Sequence, residues 1–461
     1  MVNENDAAPG LSLEDCLRAA SETALCVVKD GALKETPAAL REYFGASPVC
    51  CLVAGPRTYE AAGKLLQKEL ERAGFAVKSF VFPPGIHADY AHVKTALDFF
   101  SGVSDAGNPV PIAVGSGTVN DVVKRAAFER GLPYLCVPTA ASVDGYTSAG
   151  AALLFEGFKQ TLACSAPRAV VADTAVLGAS PAYLSSSGFG DLAGKITAGT
   201  DWIIAEKAGE FGAPGAEPVD RKAWAMTQTP LMDALGRSVD AAKGDAGAVE
   251  ALFGALAVTG FAMQYHKNSR PVSGSEHSFS HVWEMDGLST EHGAPVTHGH
   301  KVTIGTLLTA AFTEVFFADP EGPPPAPACF VRPDLAAREE EASRAFSRSP
   351  ARGAVLKTVR EKFMGPETAR RVNAGFLDNW REIRQAVLGR LPPYAELREL
   401  LGRAACPLTP EAVNLSRSAA IAAARRAQMI RNKYGVLDAA WDLGCFETVL
   451  ARIEDSERYA R

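Results

Sequence analysis

Between about residues 45 and 140, short stretches that are apolar throughout alternate with longer ones whose apolar positions recur every three or four residues. "PVCCLVAG", "FAVKSFVF", "PVPIAVGSG" and "LPYLCVPTA" are of the first kind. "RTYEAAGKLLQKELERAG", "ADYAHVKTALDFFSG" and "TVNDVVKRAAFERG" are of the second. Apolar strands separated by amphipathic helices predict a parallel sheet covered on both faces, a doubly wound α/β domain. Such sheets bind ligands at the carboxyl ends of their strands. After about residue 180 the strand pattern gives way to helical patterns over 191–211, 221–238, 246–265, 275–287, 300–318 and several stretches past 334. The expected organisation is a lead-in over 1–45, the α/β domain over 46–175 and an all-helical domain over 176–461, with a site in the cleft between the two domains. The Pro-rich "DPEGPPPAPACF" at 319–330 breaks the helical part and precedes a charged helical tail.

Composition narrows the function classes. The chain has 461 residues, 47% hydrophobic and 22% charged, with a net charge of -6. That length calls for two or three domains, and the acidic balance argues against nucleic acid or an anionic membrane surface as a general partner. "MVNENDAAPG" lacks the basic and apolar regions of a signal peptide. Runs such as "VTIGTLLTAAFTEVFF" are interrupted by polar positions, so no membrane insertion is expected. The nine cysteines show no CxxC spacing and read as reduced, buried thiols of a cytoplasmic protein.

Three stretches carry candidate chemistry. In "VGSGTVND", Gly115 and Gly117 let the backbone approach a ligand, and the helix that follows offers amides to a phosphate. The turn departs from GxGxxG, and many βα turns need glycine for geometry alone. In "PTAASVDGYTS", Thr139, Ser142, Asp144 and Ser148 crowd one polar loop at a strand end, which reads equally as a turn-rich loop with local caps. Five of the eight histidines fall between 277 and 300, with His277 and His281 one helical turn apart and His298 opening the next helix. Asp191, set after Gly188-Phe189-Gly190 in a run otherwise fit for a buried helix, adds a carboxylate. One carboxylate with imidazoles suits zinc, iron or nickel with a position left open for substrate.

The ordered set "GSGTVNDVVK", "PTAASVDGYTS", "GFGDLAGKITAGTDW", "GSEHSFSHVWEM", "HGHKVTIGT" and "IRNKYGVLDAAWDLG" resembles the sn-glycerol-1-phosphate dehydrogenases. They belong to the superfamily of iron-containing alcohol dehydrogenases, glycerol dehydrogenases and dehydroquinate synthases. The likeness runs over about 45–318 and returns at 429–446. It implies a Rossmann-like dinucleotide-binding domain, an NAD(P)H cofactor, one divalent metal (zinc or nickel, with iron as an option) and a homodimer. The implied reaction is reversible reduction of dihydroxyacetone phosphate to sn-glycerol 1-phosphate.

By position, the resemblance implies Asp191, His277 and His298 as metal ligands, with Gly188 and Gly190 letting a helix start there. His281 then faces substrate or nicotinamide, while His292 and His300 take structural or solvent-facing places. Gly115, Ser116, Gly117 and Asp121 surround the pyrophosphate. Thr139, Ser142 and Asp144 line the nicotinamide side with Ser148 in the same loop, and Asp144 lies near the substrate hydroxyls.

A phosphorylated substrate needs a cation. Lys195, one turn after Asp191, is the candidate, against a lysine reaching to solvent; Lys301 and Arg168 are weaker ones. Gly55-Pro56-Arg57 stands where NAD-specific relatives carry an acid, so Arg57 is expected to admit NADPH. The competing readings are a glycerol dehydrogenase acting on an unphosphorylated polyol, a dehydroquinate synthase-like lyase and a non-catalytic nucleotide binder.

Overall fold

The computed structural model describes residues 11–459 apart from 46–47, 105–107 and 157. Its strands are β1 (Leu25–Lys29), β2 (Val49–Ala54), β3 (Ala76–Val81), β4 (Pro109–Gly115), β5 (Leu135–Pro138), β6 (Gly150–Phe155), β7 (Phe158–Ala163) and β8 (Ala169–Asp173). The helices used below are α1 (Leu13–Ala19), α2 (Thr36–Phe44), α3 (Lys64–Arg72), α4 (Tyr90–Ser104), α5 (Gly117–Glu129), α6 (Ala182–Glu210), α7 (Ala246–His266), α8 (Ser275–Met285), α9 (His298–Phe316) and α10 (Val436–Asp442). The chain falls into two compact units. One runs to Leu192 and adds Pro230–Asn268; the other takes Ala193–Thr229 and everything from Ser269 onward.

Six parallel strands form the sheet of the first unit, in the order β1-β8-β5-β4-β2-β3. The inner strands β2, β4, β5 and β8 are buried at every position, which is why they read as unbroken apolar runs. Edge strand β3 is exposed at four of its six positions and carries Lys78, a feature that discourages pairing with another chain. Cys50, Leu52 and Ala54 of β2 pack with Leu40 of α2 and Leu66 and Leu70 of α3 in one core cluster. Each large aliphatic side chain buried this way contributes about 1.5–3 kcal/mol. The chain leaves β2 toward β3 and returns to β4 on the other side. The sheet's switch point, where such folds bind ligands, therefore lies beside Gly55 and Gly115.

Several expectations are corrected by these elements. Part of the stretch set apart as a lead-in builds the sheet, since β1 pairs in parallel with β8 over Leu25 to Lys29. α1 and α2 belong to it as well, and its first ten residues lie outside the described residues. β6 and β7 form an antiparallel hairpin that the sequence pattern did not suggest. The helical stretch 221–238 is two helices, Arg221–Thr227 and Leu231–Ser238, interrupted at Pro230. Among the described residues, α7 is the one helix long and apolar enough to cross a membrane, and most of it is buried within the protein as a core helix.

Asp191 does not open a helix. It sits in the third turn of α6, and the division between the units falls one residue later, inside the same helix. Gly188 has a different purpose: a Cβ there would stand 1.9 Å from the Ala141 carbonyl oxygen. The polar loop after β5 thus lies directly on α6. It lies on α7 as well, where a Cβ on Gly260 would meet Thr147 Oγ1 at 1.8 Å.

A Gly188→Ala protein is expected to lose about 3 kcal/mol, because a carbonyl cannot retreat as a side-chain tip can. Gly254→Ala in α7 has nothing within 4 Å of its new Cβ and should gain up to about 1 kcal/mol. Thermal melts of the two variants decide this; equal melting temperatures would refute the packing argument.

Candidate functional site

Within the sheet-bearing unit, the carboxyl ends of β2 and β4 meet at one point. The Thr58 hydroxyl accepts from Gly55 N (3.0 Å) and donates to Val114 O (2.8 Å), locking the two strand ends together. A Cβ on Gly115 would lie 2.5 Å from that of Val119, so the turn into α5 closes only with glycine. Ser116 is the N-cap of α5 without a side-chain cap bond. The first amides of a helix lack intrahelical partners and favour a phosphate. Arg57 is exposed just beyond β2. Asp121 is turned to the protein: it accepts from Ala152 N at 3.3 Å and lies 3.9 Å from Lys124 Nζ.

Lys124 was not singled out from the sequence, and it organises the loop. Its buried ammonium donates to the carbonyls of Gly145 (2.6 Å), Ser148 (3.0 Å) and Gly150 (3.0 Å). Three good acceptors offset the cost of burying the charge. Thr147 Oγ1 donates to Ala257 O (2.9 Å), and Gln264 Nε2 to Thr147 O (2.6 Å). Ser142 and Tyr146 hydroxyls share a bond of 3.2 Å, and Ser148 Oγ reaches Gly145 O at 3.2 Å. Thr139, Ser142 and Ser148 are all buried, whereas Asp144 is half-buried. The loop is held rigid from α5, α6 and α7.

Among the described residues, one group of His, Cys, Asp and Glu side chains has the spacing of a metal site. Asp191, His277 and His298 each offer a ligand atom, and these atoms lie within 4.8 Å of one another. Asp191 is fully buried and one of its oxygens accepts from Asp144 N at 2.9 Å. His277 Nδ1 is 2.7 Å from Glu276 Oε1, and His298 Nδ1 is 3.0 Å from Glu284 Oε1. An ionised carboxylate only accepts, so each imidazole carries its proton on Nδ1 and presents the Nε2 lone pair. That arrangement orients a metal-binding histidine and raises its basicity. The residues therefore fit a divalent metal by their own chemistry.

Glu276 and Glu284 are the functional residues missed in the sequence. Glu276 is held ionised chiefly by its bonds to His277 and the Gly274 amide, which outweigh burial. Its second oxygen accepts from Thr197 Oγ1 at 2.9 Å. Glu284 lies 3.1 Å from His281 Nδ1 and 3.2 Å from Lys301 Nζ besides serving His298. Burial presses His281 down to about 4, so the ring is neutral near pH 7.

Lys195 is fully buried, which removes the reading of a lysine reaching to solvent. Lys301 is committed to Glu284, and Arg168 is exposed, with its guanidinium 6.0 Å from the Tyr43 ring. His292 is exposed, while burial pushes the half-buried His300 down to about 4. Replacing Glu284 by Gln should weaken metal binding by about 10- to 100-fold. Competition with a chelator, read as metal retained per chain, tests this; unchanged retention would show that Glu284 does not serve the site.

A family profile described as iron-containing alcohol dehydrogenase matches residues 27–181. Over 252 residues the chain is 36% identical to a Bacillus velezensis protein named glycerol-1-phosphate dehydrogenase (NAD(P)+), covering 54% of this chain and 62% of that one. It therefore spans less than two thirds of this relative's length. A Pyrococcus furiosus protein of the same name is 33% identical over 279 residues, covering 60% of this chain and 75% of its own. The crystal structure of maleylacetate reductase from Agrobacterium tumefaciens shares the fold, with a TM-score of 0.54 at 16% identity, covering 93% and 97% of the two chains. With a third of its residues shared across three quarters of the archaeal protein, the chain belongs to the glycerol-1-phosphate dehydrogenase family, on the iron-containing alcohol dehydrogenase fold.

Proposed function

We propose that the protein catalyses reversible reduction of dihydroxyacetone phosphate to sn-glycerol 1-phosphate, using NADH or NADPH and one divalent metal. The observation that carries this reading is the set Asp191, His277 and His298, with both imidazoles backed by buried glutamates, in a member of this family. One carboxylate and two imidazoles suit zinc, nickel or iron. When bound, such a metal supplies a Lewis acid for the ketone oxygen and the nicotinamide supplies the hydride.

The chain's own residues would do the positioning. Glu276 and Glu284 fix the tautomers of His277 and His298, and the Asp144 amide restrains one oxygen of Asp191. Gly55, Gly115, Ser116 and Gly117, at the switch point of the sheet, would take the pyrophosphate at the start of α5. Asp121 would act there only through the hairpin and Lys124 that it contacts. Thr139, Ser142, Asp144 and Ser148, in the loop clamped by Lys124, would line the nicotinamide side. His281, neutral, would sit toward substrate, with Lys195 meeting a charged substrate group. Exposed Arg57 leaves room for a 2′-phosphate and would admit NADPH. The nine thiols are all free, in keeping with a reducing, cytoplasmic setting. A homodimer is part of the same reading.

The test is metal removal by chelator and restoration with zinc, nickel, iron or magnesium singly, following NAD(P)H oxidation. Restored turnover should favour dihydroxyacetone phosphate over dihydroxyacetone by at least tenfold in kcat/KM, and Lys195→Ala should raise KM for the ester. Equal or better turnover of dihydroxyacetone would place the protein with the polyol dehydrogenases instead.

A further inference from the structure

The segment Arg431–Tyr434, part of the "IRNKYG" stretch, is given no role by the reading above. It lies against the approach to α8. Arg431 donates to Ser273 Oγ (2.5 Å) and Ser269 Oγ (3.1 Å); Lys433 donates to Ser269 Oγ (2.7 Å) and, at 3.4 Å, to Ser273 O. Two cations thus share one serine hydroxyl. Among the described residues neither has a carboxylate within ion-pair distance, and their partners are two hydroxyls and a carbonyl, all uncharged. Both are only half-buried, so a solute can reach them.

The carboxylates nearby are spoken for. Asp201 accepts from Ser275 N (2.7 Å) and Val436 N (2.8 Å), while Glu276 accepts from Gly274 N (2.6 Å), Thr197 and His277. These bonds also occupy the leading amides of α8, so attraction for an anion here comes from the side chains and not from the helix end. Burial, then Arg431 and Arg270, presses the Lys433 ammonium well below its usual range, and Arg431 falls to about 10. Folding has gathered like charges, offset only by Glu276 and Glu217 from beyond ion-pair distance, an arrangement that costs stability unless an anion arrives. The pair is close to the proposed chemistry in sequence and structure. Ser273 stands four residues before His277, joined to it through Gly274 N, the Glu276 carboxylate and His277 Nδ1.

We propose that Arg431 and Lys433, presented by Ser269 and Ser273, form the main seat for the phosphate dianion of the substrate, in addition to the contact given to Lys195. The guanidinium offers paired donors to phosphate oxygens and the ammonium a point charge, the combination that distinguishes a phosphate ester from a neutral polyol. This rests on the phosphorylated-substrate reading for the identity of the ligand, but not for its charge.

The experiment measures binding to the metal-free protein by calorimetry, with inorganic phosphate, sn-glycerol 1-phosphate and glycerol as probes. Wild type should bind both phosphates and not glycerol. Arg431→Gln/Lys433→Gln should weaken inorganic phosphate at least tenfold, with Arg431→Lys intermediate because charge without the fork is kept. In steady state, KM for dihydroxyacetone phosphate should rise at least tenfold more than KM for dihydroxyacetone. Each variant is first shown by circular dichroism to be folded; Lys433→Gln alone serves if the double variant is not.

Phosphate affinity equal to wild type in a folded variant would overturn the proposal, as would its loss in Lys195→Ala with retention in the double variant. A wild type that turns over dihydroxyacetone as well as its phosphate would defeat the substrate reading alone. Loss of inorganic phosphate binding in the double variant would then still establish the anion seat.

Discussion

Asp201 lies between the amino ends of two helices far apart in sequence. Its oxygens accept from Ser275 N at the start of α8 and Val436 N at the start of α10, and its own carbonyl accepts from Arg270. Burial and the neighbouring Glu276 push its carboxyl up to about 6, while hydrogen bonds from Ser275 and Val436, and the charge of Arg270, pull the other way. A carboxylate between two positive helix ends is favourable electrostatically. It needs bare backbone around it: a Cβ on Gly435 or Gly274 would stand 2.7 Å from the carboxyl group. The contact fixes where α8 begins, hence the rotational phase of His277. It also fixes where the strand of residues before α10 runs, hence the positions of Arg431 and Lys433.

From that anchor the candidate metal site is built by pairing acids with imidazoles rather than by placing imidazoles alone. Glu276 is held by a hydroxyl and an amide before it meets His277, and Glu284 serves two histidines and a lysine. α9 approaches α8 closely enough that a Cβ on Gly305 would lie 2.3 Å from the Glu276 carbonyl. The imidazoles are thereby placed by helix packing, and rotation of either ring breaks a charged hydrogen bond as well as moving a lone pair.

What could be read in the sequence follows from which physical signals are local. Strands β2, β4 and β5 are apolar at nearly every position because helices cover both faces, and that pattern survives in one dimension. β1 is an edge strand with intermediate burial, so "LCVVK" stood out less. Asp191 was legible as an acid that nothing nearby explained. Glu284 was not, because its bond to His298 spans 14 residues and forms only when α8 and α9 pack. Lys124 hides for the same reason: its partners are carbonyl oxygens, and a sequence records no carbonyl as special. Gly188 stands out in a helical run, but the obstacle it clears belongs to a loop 47 residues upstream and leaves no local mark.

The polar loop rests partly on α7, and α7 arrives late. Residues Pro230–Asn268 belong with the sheet although the chain has already entered the other unit at Ala193. On the ribosome, β8 is finished at Asp173, yet Thr147 has no Gly260 surface to lie on until α7 has emerged. At about 5–20 residues per second that is a wait of the order of ten seconds. The sheet-bearing unit is therefore not a cotranslational domain in the ordinary sense. Its loop completes only after part of the second unit has been synthesised, and no single cut in the chain releases it free of Ala193–Thr229.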